Sequence, residues 1–270
     1  MKYPSLIKGI LLTTLLMMTG CDMVEYHPYD ARIEGSINMN SRNIVRIEEE
    51  LKGVETFRFA FITDTQRWYD ETEDFVRHIN RRTDIDFVIH GGDITDFGAT
   101  KEMLWQRDIL NGLKVPYVCL IGNHDCLGTG EEVFRKVFGK PNFGFTAGDV
   151  RFVCLNTNAM EYDYSEAVPD FHFLKTERDS FPAEATRTLF AMHTKPGDEQ
   201  FNNNVDVIFQ HILHTFPNPL CCIYGHGHKL AAGDLFGDGL MYYQCSNIKD
   251  RKYILFTINK ENYEYEVVGF

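Results

Sequence analysis

Five apolar runs in this chain each stop at residues whose side chains bind cations. "FAFIT" leads into Asp64 and Gln66, "FVIH" into Asp93, and "YVCLIG" into Asn123, His124 and Asp125. "TLFAM" meets His193, and "LCCIYG" meets His226 and His228. Short apolar runs bounded by turn residues read as buried strands. A carboxylate at the tip of a buried strand is costly unless something pairs with it. Sites of α/β folds lie beyond the carboxyl ends of their strands. These residues are therefore expected on one edge of whatever sheets the runs build.

From residue 57 onward the pattern alternates. Strand-like runs cover 57–63, 87–90, 117–121, 152–156, 188–192, 220–224, 240–244, 253–258 and 263–268. Asp70 with Glu73 reads as a capping box ahead of Phe75, Val76 and Ile79. Thr129 with Glu132 reads the same way before Val133, Phe134 and Val137. Val205, Ile208, Phe209 and Ile212 recur at the spacing of one buried helix face. Strand–helix alternation predicts α/β layers. The last three runs have no helix between them and predict an antiparallel portion. One domain with two sheets, over 57–270, accommodates both features. "GDLFGDG" at 233–239 reads as a hairpin turn.

Singly, such residues have bland explanations. A strand-end Asp is commonly a cap or turn former, and a lone His is commonly a satisfied core residue. Together and in order, the set resembles the calcineurin-like metallophosphoesterase superfamily. That pattern is D-x-H, G-D, G-N-H-D/E, a single His, then G-H-x-H. The matching stretches are "DTQ", "GGD", "GNHD", "MHTKP" and "GHGH". The resemblance implies a four-layer α/β/β/α sandwich of two mixed sheets. It implies phosphoester hydrolysis at a dinuclear metal centre. Asp64, Gln66, Asp93 and His228 would hold one metal; Asp93, Asn123, His193 and His226 would hold the other. His124 would be the general acid, with Asp125 orienting its ring. The chemistry wants this arrangement, because a phosphoester is anionic and repels hydroxide. Two cations bind its oxygens and acidify a water between them.

Gln66 departs from the pattern, which has His at that place. Three readings stay open. An amide oxygen can ligate, favouring manganese or magnesium over iron or zinc. One metal can be lost, or the protein can be a non-catalytic phospholigand binder. The D-x-Q form is also similar to manganese-dependent pyrophosphatases acting on ADP-ribose and CDP-alcohols. A diphosphatase of nucleotide-type substrates is therefore the alternative enzyme reading. Four neighbours are weaker candidates for substrate contact. Arg67 offers a planar fork for a second phosphate and Trp68 a stacking face, with His90 and Lys195 nearby. Each has an ordinary alternative as a solvated, packed or core residue. Asp96 reads as a turn or cap residue.

Lys2 and Lys8 flank the start of an apolar stretch, Ile10 to Met18, that is too short to cross a bilayer. The following "MTGC" is similar to the lipobox of bacterial lipoproteins. It implies a signal peptide over 1–20, lipidation of Cys21 and an exported, membrane-anchored protein. An ordinary signal peptide with a chance cysteine is the alternative. Residues 21–56 read as a tether and an N-terminal extension packed on the domain, with a short helical pattern in "NIVRIEEELKG". The formal charge of −12 argues against non-specific nucleic-acid binding, which needs Lys and Arg to neutralise phosphate. The expected partners are a phosphorylated small molecule and the membrane. Cys119, Cys154, Cys221 and Cys222 lie in apolar runs and read as buried thiols.

Overall fold

The computed structural model describes residues 30–163 and 166–270; the expected signal segment and Cys21 lie outside the described residues. The first sheet contains β1 (Phe57–Ile62), β2 (Phe87–His90), β3 (Tyr117–Cys119), β10 (Lys252–Ile258) and β11 (Tyr263–Gly269). Its order is β11-β10-β1-β2-β3. The second contains β4 (Phe143–Ala147), β5 (Val150–Leu155), β6 (Arg187–Met192), β7 (Pro219–Tyr224), β8 (Ala231–Asp234) and β9 (Met241–Gln244). Its order is β4-β5-β6-β7-β9-β8. The described helices are α1 (Met39–Glu50), α2 (Tyr69–Ile79), α3 (Thr100–Leu110), α4 (Gly130–Val137), α5 (Phe171–Asp179) and α6 (Asp206–Leu213).

Side chains alternate across a strand, so each sheet that is covered on both sides feeds two cores. Phe57, Phe59 and Phe61 of β1 point between the sheets and meet Phe152, Leu189 and Ile223. Ala60 and Ile62 point the other way, to Phe75 of α2, Met103 of α3 and Phe134 of α4. Beyond the second sheet, Val153, Phe190 and Cys222 pack on Leu174 of α5 and Phe209 of α6. Three cores separate four layers, α/β/β/α. The central core is aromatic. Phe59 stacks between Phe87 and Phe256 at 5.2 and 5.0 Å, with Phe152 edge-on at 5.4 Å.

Several local expectations are corrected. Strands β4 and β8 carry glycine or small exposed residues, so their pattern is weak in the sequence. The run at 240–244 does not join the last two strands. It becomes β9, parallel to β7 in the second sheet, whereas β10 and β11 extend the first sheet antiparallel to β1. Helix α2 starts at Tyr69 with Trp68 at its N-cap, so Asp70 sits in the first turn and does not cap it. On α6 the buried face holds Phe209, Gln210 and Leu213, while Ile208 is 57% exposed. The Tyr242 hydroxyl donates to Gln210 Oε1 at 2.5 Å, and Gln210 Nε2 donates to Asp238 at 2.9 Å. Those bonds draw a polar residue inward and turn Ile208 out. The 233–239 segment is the expected hairpin turn, in which the Asp234 carboxylate accepts from the N–H groups of Gly237, Asp238 and Gly239.

Helix α1 covers sheet edges. Asn40 bonds both backbone groups of Cys119 on β3, each at 2.8 Å. Glu48 accepts from Thr146 N on β4 at 3.0 Å. Ile47 and Leu51 enter the central core. An uncovered strand edge is a template for pairing with another chain, and this helix blocks one edge of each sheet. The six described cysteines are free thiols, five of them buried. No helix among the described residues is long and apolar enough to cross a membrane. Truncating Phe59 to Ala is expected to cost about 3–5 kcal/mol, the usual loss for a buried aromatic. Urea unfolding measures it; a loss below about 1 kcal/mol would mean the stack does not hold the sheets together.

Candidate metal centre

The parallel strands β1, β2 and β3 end together, and so do β6 and β7 of the facing sheet. Their loops then bond to one another. Asp64 N donates to Gly92 O at 3.0 Å, and Gln66 N to Asp93 O at 3.1 Å. Gly225 N donates to His193 O at 3.0 Å. Asp64, Arg67, Asp93, His226 and His228 all have positive φ, between 55° and 62°. Non-glycine residues rarely adopt this conformation, which costs about 1 kcal/mol or more each. Two glycines allow the close approach. A Cβ at Gly122 would lie 2.1 Å from Asp93 N and Oδ1, and one at Gly225 would lie 2.0 Å from Thr63 Oγ1.

Two groups of donor atoms result. In the first, Asp64 is fully buried. Its Oδ2 accepts from Thr63 Oγ1 at 2.7 Å and His226 N at 3.2 Å. Its Oδ1 accepts no hydrogen bond and faces His228 Nε2 at 3.1 Å. The Gln66 amide lies 3.3 Å from both Asp93 Oδ2 and Asp93 O. Turned nitrogen-inward it donates to both. Turned oxygen-inward it sets acceptor against acceptor, an arrangement only a cation makes favourable. In the second group, Asp93 Oδ1 faces His193 Nε2 at 3.3 Å. Asn123 Oδ1 lies 3.2 Å from His193 Nε2 and 3.0 Å from His226 Nδ1. Asp93 belongs to both groups.

Charge at the centre follows from burial and proximity. Burial opposes charge on His193, but the Asp93 carboxylate, helped by Asp64, overrides it and raises the ring to about 9. Burial likewise opposes charge on Asp93, and His193 pulls its carboxyl below the ordinary range. His193 Nδ1 donates to Gly91 O at 2.8 Å, which leaves Nε2 turned toward the donors.

The surrounding candidates separate. His124 Nδ1 meets Asp96 O at 2.7 Å, so the ring is oriented by that backbone carbonyl and not by Asp125. Asp125 is fully buried and instead accepts the N–H groups of Ile94, Thr95 and Gly122. It braces the loops that carry Asp93 and Asn123. Burial, with Asp93 nearby, raises its carboxyl to about 6. Asp96 is more than a turn residue, because its carboxylate pairs with Arg67. Arg67 remains more than half exposed. Trp68 packs into the helix-side core with Lys249 Nζ 5.0 Å above its ring. His90 is fully buried between Thr65 Oγ1 and Gly92 N; burial lowers its pKa to about 3, and it does not face the donors. Lys195 bonds to Pro196 O in the loop after His193.

The calcineurin-like phosphoesterase family is matched over residues 57–242. The chain belongs to that family. It is 25% identical over 171 residues to a 3',5'-cyclic-nucleotide phosphodiesterase of Nostoc sp., covering 58% of this chain and 63% of the relative. The chain thus spans less than two thirds of that relative's length. A dimetal phosphatase from Danio rerio superposes with a TM-score of 0.60 at 14% identity, over 79% of this chain and 96% of that one. A purple acid phosphatase from yellow lupin seeds gives 0.62 at 14%, over 81% and 52%. Those two likenesses concern the fold.

The fold of this family implies a dinuclear divalent metal centre, and the donors present fit one. A buried carboxylate oxygen faces only the His228 ring, two imidazole nitrogens and an amide oxygen converge, and one carboxylate is shared. Three contributors escape the motif pattern. Thr63 and the Asp96 carbonyl act through bonds visible only in three dimensions. Asp198, whose Oδ1 lies 3.2 Å from His226 Nε2, is foreshadowed only by the turn signal "KPGD". Because His193 is protonated below about 9 without metal, metal uptake is expected to release a proton and to weaken as pH falls from 9 to 6. Calorimetry in buffers of different ionisation enthalpy measures this; pH-independent affinity would exclude His193 as a ligand.

Proposed function

We propose that the chain hydrolyses phosphoester bonds, phosphodiesters above all, at two divalent ions. The carrying observation is the pair of donor groups joined through Asp93 with His124 beside them. Asp64, Gln66, Asp93 and His228 would hold one ion; Asp93, Asn123, His193 and His226 would hold the other. Two such ions would supply Lewis acidity toward phosphate oxygens and lower the pKa of the attacking water. The protein's own groups then orient the reaction. Asp93 keeps the two donor groups at one spacing, and His124 N donates to its Oδ1 at 3.0 Å. The Asp96 carbonyl holds His124 Nδ1, which leaves Nε2 as the atom that would pass a proton to the leaving oxygen. The first group offers three oxygen donors and one imidazole, which favours manganese among the candidate metals. The name of the Nostoc relative supports a diester substrate.

A second reading has its own observation. Arg67 and His124 both bond Asp96, so an exposed guanidinium stands on the side where a leaving group departs. A second phosphate there would meet a planar fork. That arrangement suits a diphosphatase of nucleotide-type substrates. The proposal extends to export and lipid anchoring at Cys21, supported by the charged, apolar and small-residue pattern before it.

Stripped protein titrated with Mn²⁺ should bind two equivalents, with hydrolysis of bis-p-nitrophenyl phosphate rising alongside. Binding of one equivalent or none, with no turnover of diester, monoester or ADP-ribose, would overturn the reading. His124→Ala should retain both ions and lose roughly 10²–10⁴-fold in kcat; full activity would remove it as the acid. Gln66→His should shift metal preference toward zinc or iron. An unchanged metal profile would show that Gln66 holds no ion.

A further inference from the structure

We propose that Asp198 is a positioning residue for His226. It holds the ring with its proton on Nε2, so that the Nδ1 lone pair aims into the second donor group. The inference rests on the dinuclear reading for its consequence, but the positioning itself stands on geometry.

Imidazole has two nitrogens, and a metal ligand must offer the unprotonated one. At His193 the choice is made by Gly91 O, which accepts from Nδ1. His226 has the opposite arrangement. Its Nδ1 points inward, 3.0 Å from Asn123 Oδ1, and its Nε2 points outward, 3.2 Å from Asp198 Oδ1; both partners are acceptors, and of the two the charged carboxylate is the stronger. A carboxylate is acceptor-only when ionised, so it selects the Nε2–H tautomer. A hydrogen-bonded carboxylate behind a ligating His also makes the ring a stronger ligand. The Asp198 side chain is 19% exposed and that of His226 17%, so water competes little for this bond.

Asp198 holds its position independently of His226. Its Oδ1 also accepts from Gln200 N at 3.2 Å, and its backbone oxygen accepts from Asn203 Nδ2 at 2.7 Å and Phe201 N at 3.2 Å. Gly197, at φ 86°, makes the turn that precedes it and donates to Asn203 Oδ1 at 2.8 Å. The loop is tied down at its start by Thr194, which bonds Thr157 through backbone and hydroxyl. His226 itself sits in the left-handed region, its N–H donating to Asp64 Oδ2 at 3.2 Å. The braced loop therefore offers the ring a carboxylate whose place does not depend on it.

The test has two arms on the full chain, using wild type, Asp198→Ala and Asp198→Asn. The first is nitrogen-15 NMR of the stripped protein, with the His226 signals assigned by their loss in His226→Gln. Wild type should show an exchange-protected proton on Nε2. Asp198→Ala should lose that protection, and Asp198→Asn, which keeps an acceptor, should retain part of it. An unprotonated Nε2 in wild type, or equal protection in all three proteins, overturns the proposal. The second arm is calorimetric titration with Mn²⁺. Asp198→Ala should still bind two ions, one of them about 10–100-fold more weakly, with the other within threefold of wild type. Loss of a whole equivalent would make Asp198 itself a ligand and overturn the positioning role; two unchanged affinities would also overturn it. If wild type binds fewer than two ions, the dinuclear reading fails, and the proton signal alone decides the role of Asp198. Should Asp198→Ala not fold, the Asp198→Asn comparison carries both arms.

Discussion

Asp93 must stay charged while almost fully buried, and the rest of the site is arranged around that requirement. It is 1% exposed, with Asp64 fully buried nearby. Two carboxylates in so little water repel each other and favour protonation. Backbone N–H groups, the His193 ring and the Gln66 amide compensate in part. Asp64 Oδ1 has only the His228 ring for company, at 3.1 Å. Divalent charge would resolve the conflict directly.

The stacked sheets keep the strained loops in place. Five side chains around the centre sit at positive φ, each storing about 1 kcal/mol or more. The fully buried phenylalanines of β1 and β2 anchor the strands that carry Asp64 and Asp93. Asp125 then ties the second and third loops together by accepting three backbone N–H groups. A residue expected to act on the His124 ring thus acts on the scaffold. The His124 ring is served by a main-chain carbonyl, which no side-chain pattern can announce.

Much of the architecture was legible because strand periodicity and buried cores obey the same rule. Nine runs appear as strands, and the donors stand just past five of them. The misses have physical causes. Strands β4 and β8 are rich in small residues, so packing decides them and propensity does not. The face of α6 turned because Gln210 found a buried partner in Tyr242, which an apolar spacing ignores. Helix α1 was legible in "NIVRIEEELKG", but its cover of two sheet edges was not, because Asn40 and Glu48 reach backbone groups far away in the chain.

The sequence alone determined which atoms are available at the strand ends, and in which order. That order, from "DTQ" to "GHGH", was enough to identify the family, because the motifs recur at the ends of apolar runs. Only the tertiary structure decided how those atoms are used. Whether His226 presents Nδ1 or Nε2 depends on Asp198, and whether His124 leans on Asp125 or Asp96 depends on loops brought together by two different sheets. Hydrogen bonds act over about 3 Å in space, whatever the distance along the chain. Partners 28 residues apart, such as His226 and Asp198 or His124 and Asp96, are therefore fixed by packing and not by spacing.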